Sequence, residues 1–242
     1  MLLGARQFFE KRGKSAPTAR DYVQDGLIAM WDGIENAGWG VHDAAATTWK
    51  DLVGDYDLAI SQGAQFDSTC FRTNGVAKAA YSTTAYFLKD VTYYEAVFKM
   101  LTIADRTTNP YVSLVVARQR NGTHSTQKNV IIANENPASY MPPNFCFNKR
   151  TAVRADTLDH SACCGFIDSS VNFLMLDGSE ISVDTYPLYQ GVFSDGISVG
   201  SSTNSSYVCD GRLYSFRVYS RAPTAAEIAA NYAIDKERFN LP

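Results

Sequence analysis

Trp39-Gly-Val-His42-Asp43 sets a large aromatic ring, an imidazole and a carboxylate within one short loop. An aromatic face stacks on the C–H groups of a sugar while neighbouring polar atoms bind its hydroxyls, so Trp39, His42 and Asp43 form the first candidate ligand site. Trp39 would serve equally as a cover over the end of a fold, a use that needs no ligand. Tyr140, Tyr186 and Tyr189 stand near prolines or turns and are the next aromatic candidates.

Hydrolysis by paired carboxylates needs two acids facing across a cleft. Glu95 stands alone in Tyr93-Tyr-Glu-Ala-Val-Phe-Lys-Met100, and Glu180 with Asp184 shares a strand face without a third acid, so solvated strand edges are expected for these groups. His42, His124 and His160 are isolated, and no Ser or Cys stands in a G-x-S-x-G elbow. No catalytic residue, and no enzyme, is expected. His160-Ser-Ala-Cys163-Cys164 invites a zinc reading. Adjacent cysteines on a strand point to opposite faces, however, and a closed site needs four ligands.

The elements that must position these groups read as strands. Val171–Leu176 and Glu180–Val183 flank Asp177-Gly178, a pair that tolerates the positive φ of a hairpin turn. Further strands are expected over 26–31, 57–61, 92–101, 111–118, 129–134, 144–148, 163–167, 196–200 and 207–219, with Asn134–Ala162 the longest irregular excursion. In the last strand Tyr214, Phe216 and Val218 share one face, and Ser215, Arg217 and Tyr219 the other. A helix over 224–236 follows, opened by Thr224 and Glu227 in a capping box and packed through Ile228 and Tyr232. Trp31 and Trp49 are assigned to packing, and Asp51 to accepting turn N–H groups.

The closing run Gly211, Leu213, Phe216, Arg217, Val218, Tyr219, Arg221, Ala222 and its capped helix resemble the end of laminin-G-like, concanavalin A-type domains. Pro223 stands where that family usually has Leu. Gly26-Leu-Ile-Ala-Met-Trp-Asp-Gly resembles the family's opening strand, and Thr48-Trp49-Lys50-Asp51-Leu52-Val53-Gly54 its Trp-x-Asp-Leu turn. The resemblance implies an all-β fold, a two-sheet antiparallel jelly-roll β-sandwich with a short C-terminal helix, over residues 25–242. Such folds host both lectins and glycosidases. The Glu-x-Asp-x-x-Glu run of related laminarinase-type enzymes is absent here. No cofactor is expected from the residues. The resemblance adds calcium between loops at a rim, with Asp43, Asp57, Asp195 and Asp210 as oxygen donors and no spacing that selects among them.

The chain has 242 residues, 45% hydrophobic, with a net charge of −3, which gives no global attraction to nucleic acid or anionic lipid. Residues 1–24 differ: Arg6, Lys11, Arg12, Lys14 and Arg20 oppose only Glu10, while Leu2, Leu3, Phe8 and Phe9 are apolar. Phe8 and Phe9 as anchors with Arg6, Lys11 and Arg12 as a polar rim make this a partner-docking arm, expected to stay outside the sandwich core. Met1-Leu-Leu-Gly-Ala-Arg6 places a charge where a leader would stay apolar, so no signal peptide and no membrane insertion are expected. Five cysteines, two of them adjacent, fit buried thiols of a protein made in a cytosol. A sugar-binding type of sandwich behind a basic arm resembles phage virion proteins of tail, fibre or capsid decoration. That resemblance implies an adhesive surface component docked to other virion proteins within an oligomer, with a glycoside hydrolase or a ligand-free decoration as the alternatives.

Overall fold

Short runs rich in Val, Ile, Phe and Tyr, broken by polar turns, cannot bury their backbones singly and must pair. In the computed structural model, residues 15–76, 78–82, 93–102, 111–121, 124–134, 144–147, 150–154, 157–167, 170–181, 196–201 and 208–242 are described. The strands among them are β1 (Leu27–Asp32), β2 (Thr48–Trp49), β3 (Leu58–Ile60), β4 (Gln65–Phe66), β5 (Phe71–Arg72), β6 (Ala80–Ser82), β7 (Tyr93–Met100) and β8 (Tyr111–Asn121). They continue as β9 (His124–Asn134), β10 (Asn144–Phe147), β11 (Arg150–Arg154), β12 (Asp159–Ile167), β13 (Ser170–Leu176), β14 (Ser179–Glu180), β15 (Gly196–Val199) and β16 (Gly211–Tyr219), before the helix α1 (Ala225–Phe239).

The first sheet runs β14-β13-β12-β7-β16-β5-β4, with β1 also on β16; the second runs β11-β10-β9-β8-β15-β6-β3-β2. Every pairing is antiparallel. The expected two-sheet antiparallel sandwich with a short C-terminal helix therefore forms. First and last strands lie side by side, Trp31 opposite Phe216. The core between the sheets takes Trp31, Phe71, Tyr94, Phe98 and Phe216 from one layer and Trp49, Leu58, Leu114 and Ile197 from the other. Trp49 sits 4.9 Å from the Phe71 ring, and its indole N–H donates to the Asp32 carbonyl.

Asn134–Ala162 is more regular than expected, because it holds β10, β11 and the start of β12. Pro137, Pro142 and Pro143 precede those strands rather than interrupt them. In β16 a bulge between Leu213 and Ser215 shifts the alternation. Leu213, Phe216 and Val218 thus join the inter-sheet core, while Tyr214 packs outside it with Phe239.

Outside the first sheet lies α1, capped by Thr224 and Glu227 as expected but running on to Phe239, where Asn240 closes it in the left-handed conformation. Its buried residues are Ile228, Asn231, Asp235 and Phe239, so two of the four are polar. Residues placed in the arm contribute here as well. Thr18 caps a single turn at Ala19–Asp21, and Ala19 and Tyr22 are buried outside the inter-sheet core, in the layer under α1, so the last residues placed in the arm pack on the domain. Arg6, Phe8, Phe9, Lys11 and Arg12 lie outside the described residues.

Candidate functional site

Glu95 is no solvated edge. It points from β7 to the helix side of the sheet and is buried, accepting from Arg217 Nε at 2.8 Å, Asn231 Nδ2 at 2.9 Å and the Tyr93 hydroxyl at 2.8 Å. Arg217 lies on β16 opposite Glu95 and donates twice more to the Asp235 carboxylate from α1, both at 2.9 Å. Tyr22 donates to Asp235 at 2.7 Å and lays its ring 3.9 Å from the Arg217 guanidinium carbon. Burial opposes ionisation of Glu95 and raises its pKa, with Arg217 pulling the other way. Arg217 is held charged, since Asp235, Tyr22 and Glu95 outweigh the desolvation that would lower its pKa. A second buried ion pair, Arg238 to Asp32 at 2.7 Å, extends this layer toward Glu35.

A groove of about 520 Å³ opens beside that layer, between α1 and the β13–β14 hairpin. Its apolar walls come from Pro223, Ala225, Ile228 and Ala229 on the helix side and Met175 on the hairpin; its polar groups are Asp177, Glu180 and the half-buried Tyr232. The expected Asp177-Gly178 turn shapes it, with positive φ at both residues. Tyr232 lies over Gly178, where a Cβ would come within 2.6 Å of the ring. Asp177 is fixed by the Ser161 N–H at 2.9 Å and His160 Nδ1 at 2.7 Å. The groove shares Met175, Gly178, Ile228 and Tyr232 with a cavity of about 20 Å³ that is also lined by Glu95, Ser161, Cys163 and Asp235. That volume is the room of one water with several polar partners.

The loop singled out by sequence is brought together, but its groups are largely engaged. Trp39 is half-buried against the cluster of Tyr22, Leu27 and Met30, and the Arg20 guanidinium lies 4.4 Å from its ring centroid. His42, exposed, donates through Nδ1 to the Ile34 carbonyl at 3.0 Å; the Asp43 carboxylate accepts from the Ala45 N–H at 2.8 Å. Tyr140, Tyr186 and Tyr189 lie outside the described residues, as do Asp184 and Asp195.

Asp57 pairs with Lys50, and among the described residues no three His, Cys, Asp or Glu side chains converge on one point. His160 turns toward Phe98 in the inter-sheet core, whereas Cys163 lines the cavity under the helix. Burial pushes the Cys163 thiol up to about 12, far from a ligating thiolate.

Sequence reasoning missed Tyr232 and Asp177 as groove residues because it assigned one to helix packing and the other to a turn. The only available signal was the acid beside Gly178, opposite the capped helix that had to cover the sheet.

No family model matches the chain, and no curated protein matches its sequence. Solved structures do match in fold. A Trypanosoma rangeli sialidase in complex with sialic acid superposes with a TM-score of 0.55 at 13% identity, over 93% of this chain and 34% of the sialidase. The binding domain of botulinum neurotoxin DC in complex with SialylT superposes with a TM-score of 0.55 at 9% identity, over 87% of this chain and 51% of that one. A serotype D/C binding domain gives 0.53 at 10% identity, over 86% of this chain and 52% of that domain. The chain thus spans about a third of the sialidases' length and about half that of the toxin binding domains. These neighbours correct the expectation that the chain is not an enzyme, since structures sharing its fold include sialidases as well as binding domains. That expectation looked for acids close in sequence, whereas folding draws Glu95 and Asp235 from distant strands and helix onto one arginine. At these identities the likeness is one of fold, a two-sheet β-sandwich of the kind found in sialidases and toxin binding domains.

Proposed function

We propose that this chain is a carbohydrate-binding module whose ligand seats between α1 and the β13–β14 hairpin. The observation that carries the reading is the groove itself. Its size suits one or two sugar rings, its walls are mostly apolar, and Tyr232 stands beside the hydrogen-bond acceptors Asp177 and Glu180. Sugars present C–H faces and hydroxyls together, so they match that mixture. The fold neighbours support the reading as proteins solved with sialic acid or SialylT bound.

Titration against a glycan panel tests it. Tyr232→Ala is expected to abolish most of the affinity, by about 1–3 kcal/mol if the ring acts as a stacking platform. Binding that survives this change but disappears in Trp39→Ala would move the site to the Trp39 loop. Scoring the same panel for hydrolysis asks whether a bound sugar is also cleaved.

The place of action we propose is the surface of a virus particle, with residues 1–14 docking on another particle protein through Arg6, Phe8, Phe9, Lys11 and Arg12. The support is chemical: this segment combines dense positive charge with paired phenylalanines. Deleting residues 1–14 is expected to leave a folded sandwich that no longer joins particles. A truncated chain that is still incorporated overturns this assignment.

A further inference from the structure

We propose that the groove selects a sugar bearing a free, protonated amine over neutral or anionic sugars, an inference that rests on the groove being the sugar site. Two carboxylates line it, and among the described residues no Lys, Arg or His does. Glu180 is exposed and its carboxylate has no hydrogen bond or ion pair among the described residues, so its charge is open to a ligand. Asp177 is oriented by the Ser161 N–H and His160.

Behind the groove, Glu95 and Asp235 border the inner cavity and both bond the guanidinium of Arg217. The Lys236 ammonium stands 5.8 Å from the Tyr232 ring centroid and is not among the described residues that line the groove. An ammonium on the sugar would replace a hydroxyl hydrogen bond by a charge-assisted one to Glu180 or Asp177. A sugar carboxylate would meet those same oxygens with like charge. The groove is therefore the opposite of what an acidic sugar requires, although the fold neighbours were solved with sialic acid or SialylT.

Calorimetric titration of the full chain at pH 6 with three probes tests the inference: a glucosamine tetramer, the N-acetylglucosamine tetramer and sialyllactose. The glucosamine tetramer is expected to bind at least about tenfold more tightly than its acetylated counterpart. Glu180→Gln, at an exposed carboxylate without partners among the described residues, should shrink that difference with an unchanged melting temperature, and Glu180→Lys should shift preference toward sialyllactose. Equal affinity for the two tetramers, or a wild-type preference for sialyllactose, overturns the selectivity and leaves the groove as a sugar site. Equal binding of tetralysine and glucosamine tetramer shows that charge alone is read, and also overturns it. If no probe binds, or Tyr232→Ala changes nothing, the sugar site itself fails and the selectivity falls with it.

Discussion

The two faces of the first sheet are built on opposite principles. Toward the second sheet, β7 and β16 present Tyr94, Ala96, Phe98, Met100, Phe216 and Val218, all apolar or aromatic. Toward α1 the same strands present Tyr93, Glu95, Ser215, Arg217 and Tyr219, every one of them buried and polar at its tip. The apolar face gains by leaving water and asks only for volume to be filled. On the polar face, each charge removed from water must find its partner with good geometry or cost several kcal/mol. Stability can come from either layer, but only the ionic one dictates how α1 and residues 18–23 must sit on the sheet.

The sharpest way to break this contrast is Arg217→Met, which leaves Glu95 and Asp235 buried without a counter-charge. A loss of about 3–5 kcal/mol is expected in urea unfolding. Replacing Arg217, Glu95 and Asp235 together by apolar residues of similar size should restore most of it. A single variant costing less than about 1 kcal/mol would mean that water already reaches this layer. On the apolar face, Met100→Ala is expected to cost about 2–5 kcal/mol through the cavity it leaves, with no second substitution able to rescue it by charge.

Tyr22→Phe probes the seam between the layers, because it removes the hydroxyl that donates to Asp235 and keeps the ring over Arg217. A loss of about 1–3 kcal/mol is expected, and none at all would place the hydroxyl outside the network. The smallest effects belong to the helix cap. Thr224→Ala should cost about 0.5–2 kcal/mol. The Glu227 carboxyl, bonded first by Arg221 and then by the Thr224 N–H, is held at about 2 against an ordinary 4.5. Its contribution is thus complete above pH 4.5 and lost as pH falls toward 2. Glu95 and Asp32, raised by burial, act with the opposite sign: their neutral forms are favoured by folding, and what they contribute declines as pH rises through their folded values. Melting temperatures between pH 2 and 6 should therefore fall less steeply on acidification in Glu227→Gln than in the wild type. Parallel acid limbs would remove the cap from this balance.

How much of this was readable from the sequence follows the same division. Alternation in β7 and in β16 beyond its bulge, the Asp177-Gly178 turn and the Thr224 cap all express local preferences, and they appear where the residues require them; the bulge that moves Tyr214 to the other face left no such trace. Asp51 also behaves as its turn implies, accepting from the N–H groups of Met30, Val53 and Tyr56. Long-range ion pairs have no such local trace. Glu95 looked solvated because Arg217 and Asn231, its partners, come from the far end of the chain. Tyr22 looked like part of an arm because its basic neighbours set the tone of the segment, while its own partner lies on α1. The Trp39 loop was found, but Arg20 over its ring could not be foreseen from spacing alone.

The short stretch from Ala19 to Val23 also determines how the sandwich bears a load. Ala19 is tied to Glu35, in the loop after β1, at 2.7 Å; Tyr22 is tied to Asp235 at 2.7 Å and Val23 to Asn231 at 2.9 Å, both on α1. A tug applied upstream of Ser15 is thus divided between two elements anchored separately on the same sheet. Nothing tethered to this end can be torn away by peeling one hydrogen bond after another along a single strand; the helix and the loop after β1 must give way as well.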